Sequence, residues 1–345
     1  MRKALIVTLG LCFIGTPVFA FHDGGVAHCN GCHTMHNSQD GALVDPDSPN
    51  GNPWLLIDST PSDVCLSCHE RSRGAVLWET PNSPAAQRGA GNFIFLLDDN
   101  LNDGHGGATD PIPGDAAGHN INAPGYGVAT DATLTTAPGG SFPASIMGCT
   151  SCHDPHGNAS FRLLYGIGTV QGQPFTNPAP EAEGLSLFGA GESQSNHTAY
   201  HGGMSAWCGN CHGDFHNNNT MLIHPSGSAL GGIAQTYNLY NGTSDRAGGT
   251  QAPAYLPDVA FGDPAMTTSS TTGPVGGSQV SCITCHRAHG SSGPDAGRWD
   301  HNVTFLHEDG VESGSYQIPD PYGDLNQRSL CNKCHNKDVG DERPF

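Results

Sequence analysis

Three features of the chain predict its fold class: mostly coil with short helices and few short strands, organised around repeated cofactor stations rather than a side-chain core. The first is a five-residue pattern, Cys-x-x-Cys-His, written six times: Cys29–His33, Cys65–His69, Cys149–His153, Cys208–His212, Cys282–His286 and Cys331–His335. The second is composition. The 345 residues include 48 glycines and 25 prolines, and only 13% are charged and 7% aromatic. The third is patterning: no 3.6-residue period is sustained and alternating runs are few, which excludes long helices and a large sheet.

The repeated pattern is the attachment signature of c-type haem. Thiols three residues apart sit about one helical turn apart, so both add to the two vinyl groups of one porphyrin. The adjoining histidine is then held beneath the iron as an axial ligand. A CxxC pair can also be half a zinc site, a redox dithiol or part of a disulfide framework. None of those prefers histidine after the second cysteine, yet histidine follows in all six cases. Intervals of 36, 84, 59, 74 and 49 residues between the first cysteines give no ribbon spacing either. The twelve cofactor-binding cysteines are therefore Cys29, Cys32, Cys65, Cys68, Cys149, Cys152, Cys208, Cys211, Cys282, Cys285, Cys331 and Cys334. The proximal iron ligands are His33, His69, His153, His212, His286 and His335.

Six haems explain the composition. A Gly- and Pro-rich chain buries too little apolar side chain to offset its conformational entropy, and porphyrins can supply the core instead. Residues 1–20 read as a removable secretory signal: Arg2 and Lys3, an apolar run from Ala4 to Ile14, and a small-residue cleavage site at Val18-Phe19-Ala20. Cys12, the thirteenth cysteine, lies inside it. Residues 21–345 then form a single elongated hexahaem unit, exported to the cell surface or beyond, with the periplasm as the alternative. No transmembrane segment is expected in the mature chain. The net charge of −19 argues against nucleic acid and anionic membrane as partners.

Between the motifs the chain reads as Gly-, Pro-, Asn- and Ser-rich loops, Gly262 to Gly277 among them. Short helical turns are expected over Met204–His216 and Arg328–Asn336. Asp98, Asn100 and Asn102 have the spacing of the first ligands of a calcium loop. Asp103 stands where that loop needs glycine and Thr109 where it needs glutamate, so a solvated turn is the better reading.

The second axial ligand separates enzyme from wire. A haem with an open face can activate a small molecule, whereas a bis-histidine haem only exchanges electrons. Thirteen histidines lie outside the motifs, enough for six distal ligands. Four trail a motif closely: His36, His156, His216 and His289. At three or four residues' separation both imidazoles leave the same side of a turn, so the second cannot reach the far face of its own porphyrin. It is expected to serve a neighbouring haem. No motif carries lysine in place of the proximal histidine, so no catalytic residue is assigned.

The flanking residues carry a more specific signal. Phe21-His22 with Cys32-His33-Thr-Met-His36-Asn, Gly118-His119-Asn-Ile, Cys152-His153-Asp-Pro-His156-Gly, Gly203-Met-Ser-Ala-Trp207-Cys208, His224-Pro225, Cys285-His286-Arg-Ala-His289 and Leu330-Cys-Asn-Lys-Cys-His335 occur in one order across all six stations. In these the chain resembles the OmcS family, hexahaem cytochromes that polymerise into extracellular filaments in metal-reducing bacteria. The resemblance implies six bis-histidine haems in a continuous stack and head-to-tail self-assembly. It implies distal ligands His36, His119, His156, His216, His224 and His289. The position of His36 serves a haem of the adjacent subunit, the one attached at the positions of Cys282 and Cys285. His22 is read as packing, and His28, His105, His197, His201, His301 and His307 receive no role. Glu70-Arg71 after His69 depart from the family pattern.

The expected function is extracellular electron transfer through a homopolymeric filament, fed by upstream cytochromes and ending at an extracellular acceptor. A monomeric periplasmic or surface shuttle is the alternative, and a multihaem reductase a weaker one.

Overall fold

The structure, a computed structural model, describes residues 29–70, 77–78, 89–100, 116–183, 198–217, 226–240, 256, 259–265, 274–300, 305–308, 322–323, 325 and 333–335. Regular structure among them is sparse, as the composition requires. The helices are α1 (Pro61–His69), α2 (Met204–Cys208), α3 (Gly213–Asn217), α4 (Ile233–Leu239) and α5 (Cys282–Cys285). The strands form three antiparallel pairs: β1 (Ser38–Gln39) with β2 (Ala42–Leu43), β3 (Gly168–Val170) with β4 (Gln173–Phe175), and β5 (Glu181–Glu183) with β6 (Ala199–Gly202). The other helical pieces are 3-10, mostly single turns, and the remainder is irregular. No helix among the described residues is long and apolar enough to cross a membrane.

The longest helix has a local cause. Thr60 caps α1 by accepting the Asp63 N–H, Pro61 starts it with a preset φ, and Glu70 ends it in extended backbone. The helical stretch expected over Met204–His216 appears as α2 and α3, separated by the fourth attachment turn. α1 and α5 fall on the second and fifth motifs, where short helical turns are expected; α4 was not legible, because seven residues give too few turns to display a period. Of the stretch Arg328–Asn336, only residues 333–335 are described. Phe93–Asn100 is a 3-10 helix, so Asp98 and Asn100 end a helical turn; Leu101 to Thr109 lie outside the described residues. The described parts of Gly262–Gly277 are irregular, tied down where Gly262 bridges Gln279.

Among the described residues no single core forms: most buried apolar side chains fall into three small clusters, each touching an attachment motif. One joins Leu66, Trp78, Phe93 to Leu96, Ile121 and Val128, with Cys149 against it. A second joins Phe142, Met147, Val170 and Phe175, with Trp207 and Cys211 alongside. The third joins Leu230, Ala234, Tyr237, Val259 and Phe261, with Cys334 alongside. The side-chain core is divided among the stations.

Candidate haem-attachment sites

The first, third and fifth motifs are built alike. In each, the N–H of the histidine bonds back to the carbonyl of the first cysteine, closing one tight turn around the pair: His33 on Cys29 at 2.9 Å, His153 on Cys149 at 3.0 Å, His286 on Cys282 at 3.0 Å. The chain then leaves and returns antiparallel, bridging His33 with Leu56, His153 with Leu164 and His286 with Gly297. At the tip of each return sit two residues with positive φ: Trp54 and Leu55, Arg162 and Leu163, Asp295 and Ala296. Such successive left-handed residues make a type I′ turn, which Asn and Gly usually fill. Here Trp54, Leu55, Arg162, Leu163 and Ala296 adopt it at a cost of about 1–2 kcal/mol each, and Asp295 at less.

The strained tip has a use. It turns a backbone carbonyl onto the proximal imidazole. His33 Nδ1 donates to Trp54 O at 3.0 Å, His153 Nδ1 to Arg162 O at 2.7 Å, and His286 Nδ1 to Asp295 O at 2.9 Å. The fourth motif achieves the same from another direction, with His212 Nδ1 donating to Pro138 O at 2.7 Å. Gly140 beside that carbonyl is obligatory, because a Cβ there would lie 1.7 Å from Cys211 O. With Nδ1 committed, the proton is fixed on one nitrogen and the Nε2 lone pair is free for a metal. Burial pushes His153 and His212 below the usual histidine range, which favours the neutral ring that ligation needs.

Opposite three of these rings stands a second imidazole. His156 faces His33 with centroids 6.4 Å apart and planes 7° apart. His289 faces His153 at 6.4 Å, and His119 faces His212 at 5.9 Å. Two metal–nitrogen bonds of about 2.0 Å plus the half-widths of two rings span about 6 Å. The gaps therefore fit one iron each, and the thiol pairs beside them fit the vinyl groups of a haem. His156 trails the third motif yet faces the first, and His289 trails the fifth yet faces the third. Each of these two trailing histidines is brought to the preceding odd-numbered station rather than to its own.

The backbone holding His289 and His119 is packed to the limit. Three chain segments meet at Gly91, Gly118 and Gly290, where the His289 N–H donates to Ala90 O at 2.7 Å and the His119 N–H to His289 O at 3.1 Å. A Cβ on Gly118 would lie 2.2 Å from His289 O. His119 Nδ1 donates to Ala288 O at 2.5 Å, so one crossing presents both imidazoles. Burial holds His119 below the usual range and draws His289 down to about 3.

Neighbouring stations meet in two equivalent seams. α1 packs on the turn Cys149–Ser151, and α2 packs on α5. In the first seam Ser62 Oγ accepts the Cys149 N–H, and in the second Ser205 Oγ accepts the Cys282 N–H, both at 3.2 Å. Both serines stand three residues before the first cysteine of their own motif. The thiols also meet, Cys65 with Cys149 and Cys208 with Cys282. Motif two thus abuts motif three, and motif four abuts motif five.

The sixth motif docks differently. Lys333, inside Cys331-Asn-Lys-Cys334-His335, is 1% exposed and donates from Nζ to Tyr237 O at 2.5 Å and Tyr240 O at 2.7 Å. Burial draws its amine down to about 7.

Sequence and structure of known proteins agree with this geometry. The chain is 32% identical to the C-type cytochrome OmcS of Geobacter sulfurreducens, covering 98% of this chain and 99% of that one. It belongs to the OmcS family of c-type cytochromes. No family model matches it. Its structure superposes on the outer membrane cytochrome S filament of Geobacter sulfurreducens with a TM-score of 0.75 at 31% identity, over 92% of this chain and all of that one. The OmcS nanowire of the same organism, solved by cryo-EM, gives 0.73 at 29% identity with the same coverage. The mostly coil multihaem fold expected from sequence is thereby established, and the cofactor of such a cytochrome is haem c.

Of the sequence-derived site residues, the structure brings together His33 with His156, His153 with His289, and His212 with His119. His36 is exposed, and no ring pairs with it or with His286 among the described residues. His69 and His335 end their motifs as expected, with partners of their own. His216 lies in α3 with its side chain outside the description. Cys331, His224, residues 1–20 and His22, His28, His105, His197 and His301 lie outside the described residues. Of the histidines without an assigned role, His201 contacts Glu183 at 3.2 Å and His307 lies tilted against Phe305, with centroids 6.0 Å apart. Sequence reading missed the carbonyl-bearing turns at Trp54, Arg162 and Asp295. Their only trace is the return segments Pro-Trp-Leu-Leu, Phe-Arg-Leu-Leu and Pro-Asp-Ala-Gly, which share no residue pattern strong enough to flag them.

Proposed function

We propose that the chain is an exported hexahaem cytochrome that carries electrons along stacked haems as a head-to-tail homopolymer, the function the filament-forming relatives suggest. The carrying observation is the direction in which the trailing histidines are passed. His156 of the third station faces the first, and His289 of the fifth faces the third. Continued by one step, the fifth station needs the trailing histidine of a following first station. Within one chain none follows. A second copy supplies it: its His36 would stand opposite His286, completing both at once. The seams argue the same way, since motif pairs two–three and four–five leave motif six and motif one as the pair that closes only between copies.

In this reading the twelve cysteines anchor six haems covalently, which keeps the cofactors in place outside the cell. The proximal ligands are His33, His69, His153, His212, His286 and His335. The distal ones are His156, His289, His119 and, across the subunit boundary, His36, with His216 and His224 completing the set. A bound haem supplies a one-electron couple. The protein's part is to lock His33, His119, His153, His212 and His286 through their Nδ1 bonds, so that geometry changes little between oxidation states, and to hold neighbouring stations in contact through the serine seams. Removal of residues 1–20 and export place the polymer at the cell surface or outside. Upstream cytochromes would feed it, and an extracellular acceptor would take the electrons.

Electron microscopy of the purified holoprotein tests the proposal. Wild type should form filaments and His36→Ala should not. Filaments that survive His36→Ala with all six haems low-spin would sink the assembly. Dispersed wild-type chains with six closed haems would favour the monomeric shuttle, and turnover at a persistently open haem would favour a reductase.

A further inference from the structure

The first, third and fifth stations each extend an arm, residues 34–56, 154–164 and 287–297, that carries a trailing histidine and a left-handed tip. The three arms differ in what covers them. The third tip packs on β5, and its Phe161 meets the Tyr200 ring on β6 at 5.8 Å. In the fifth tip Ala296 is buried. The residues left fully exposed at these two tips are charged, Arg162 and Asp295. The first tip is the reverse. Trp54 is 74% exposed and Leu55 52%, and Met35, next to the trailing His36, is 76% exposed. Of the eleven large apolar side chains exposed among the described residues, these three and Leu43 all fall in this one arm.

The arm is held in shape by its own bonds. The Thr34 N–H donates to Leu55 O at 2.7 Å, which sets the leg carrying Met35 beside the tip. Buried Asn37 donates to Asp45 O and Ser48 O, and Asn52 donates to Asp45 Oδ2. A face already fixed loses little conformational entropy on docking. Two copies of a chain with net charge −19 also need an uncharged face in order to touch. Exposed apolar side chains gathered on a fixed frame mark a contact surface, and tryptophan is among the residues most enriched as interface anchors.

We propose that Trp54, Leu55 and Met35 are the docking face by which the first arm of one copy seats against the fifth station of another, with Trp54 as its anchor. The chain contains its own template. The arm of the third station reaches the first, bringing His156 to His33, and the arm of the fifth reaches the third, bringing His289 to His153. The first arm has no station before it and is the one whose tip is apolar and bare. This rests on the homopolymer reading and adds to it a surface that holds copies together independently of the His36 ligand.

Oxidative footprinting of the wild-type holoprotein, read by peptide mass spectrometry, tests the docking face. Trp54 should be modified readily in dispersed chains and about tenfold more slowly in filaments, as befits a side chain at the dry centre of an interface. Trp54→Asp suits the turn, since Asp tolerates left-handed backbone and Asp295 stands at the matching position of the fifth tip. It should raise the concentration at which filaments appear about tenfold or more. Ile167→Asp, the same change at a residue 72% exposed outside the arm, should leave that concentration within about twofold. Trp54 modified equally in filaments and dispersed chains overturns the docking face while the polymer stands. Trp54 already protected in dispersed chains shows the arm covered from within its own chain and overturns it too. So does an Ile167→Asp variant that weakens assembly as much as Trp54→Asp, because the loss is then one of general charge. Wild type that forms no filaments overturns the homopolymer reading itself, a separate and recognisable failure with which the docking face falls.

Discussion

The first and third stations share a scaffold and differ in what backs them and in where their trailing histidine goes. Both close a turn over the cysteines, return antiparallel, and aim a carbonyl from a left-handed tip at the proximal imidazole. The third is backed by neighbouring segments of the chain. Its attachment turn is capped by Ser151, whose Oγ accepts the Gly148 N–H at 3.0 Å, and its Cys149 N–H is held by Ser62. The first has Gly31 in place of Ser151 and an exposed Cys29. It also spends twelve more residues between histidine and tip, room for the β1–β2 hairpin and for Asn37, buried and bonded to Asp45. Both sites find a facing ring within the chain, His156 for the first and His289 for the third. The two stations differ in their trailing histidines: among the described residues His156 faces a ring and His36 does not, so His36 is the one left to offer to another copy.

The sharpest way to break that contrast is to open each station in turn and count open haems by carbon monoxide binding. Dispersed wild-type chains should bind one carbon monoxide, at the station of His286. His156→Ala should bind two when dispersed, because its effect is internal. His36→Ala should stay at one in the same assay, since its partner haem is in another copy. Equal behaviour of the two variants would erase the distinction between the stations.

A second, smaller effect separates stations three and four from station one. Gly118→Ala drives a methyl group into the His289 carbonyl and should cost roughly 1–3 kcal/mol, the usual range for overpacking. The drop in melting temperature should come with disturbed spectra of the haems facing His289 and His119. The haem between His33 and His156 should be untouched. A disturbance spread evenly over all haems would argue that the crossing is not local to those two ligands.

The smallest effect concerns the strained tips. Leu55 has φ of 59° and is about half exposed, so little burial is lost on its replacement. Leu55→Gly relieves about 1–2 kcal/mol of left-handed strain but adds about 0.5–1 kcal/mol of chain entropy to the unfolded state. A net gain of about 0.5 kcal/mol should appear as a slightly higher melting temperature of the dispersed chain. A loss would show that the Leu55 side chain stabilises the tip by contacts beyond its conformation.

The chemistry of the stations was legible because it is local. Cys-x-x-Cys-His places two thiols and an imidazole on one turn whatever the rest of the chain does. That His156 and His289 must serve some other haem also followed from spacing, since a three-residue offset cannot span a porphyrin. Which haem they face did not follow: His153 to His289 and His212 to His119 join residues roughly a hundred positions apart, and only the glycine crossing at Gly91, Gly118 and Gly290 brings them together. The serine seams were equally hidden, because a serine three residues before a cysteine has no meaning until a second motif is packed against it.

The sequence alone determined the cofactor, the number of stations, the scarcity of regular structure and the acidity of the chain, all properties of composition and short-range covalent geometry. The tertiary structure decided the order in which stations hand on their histidines, the carbonyls that lock five of the rings, and the burial of Lys333. Those depend on contacts across tens to hundreds of residues, where glycine packing and strained turns select one arrangement among many that the same motifs would allow.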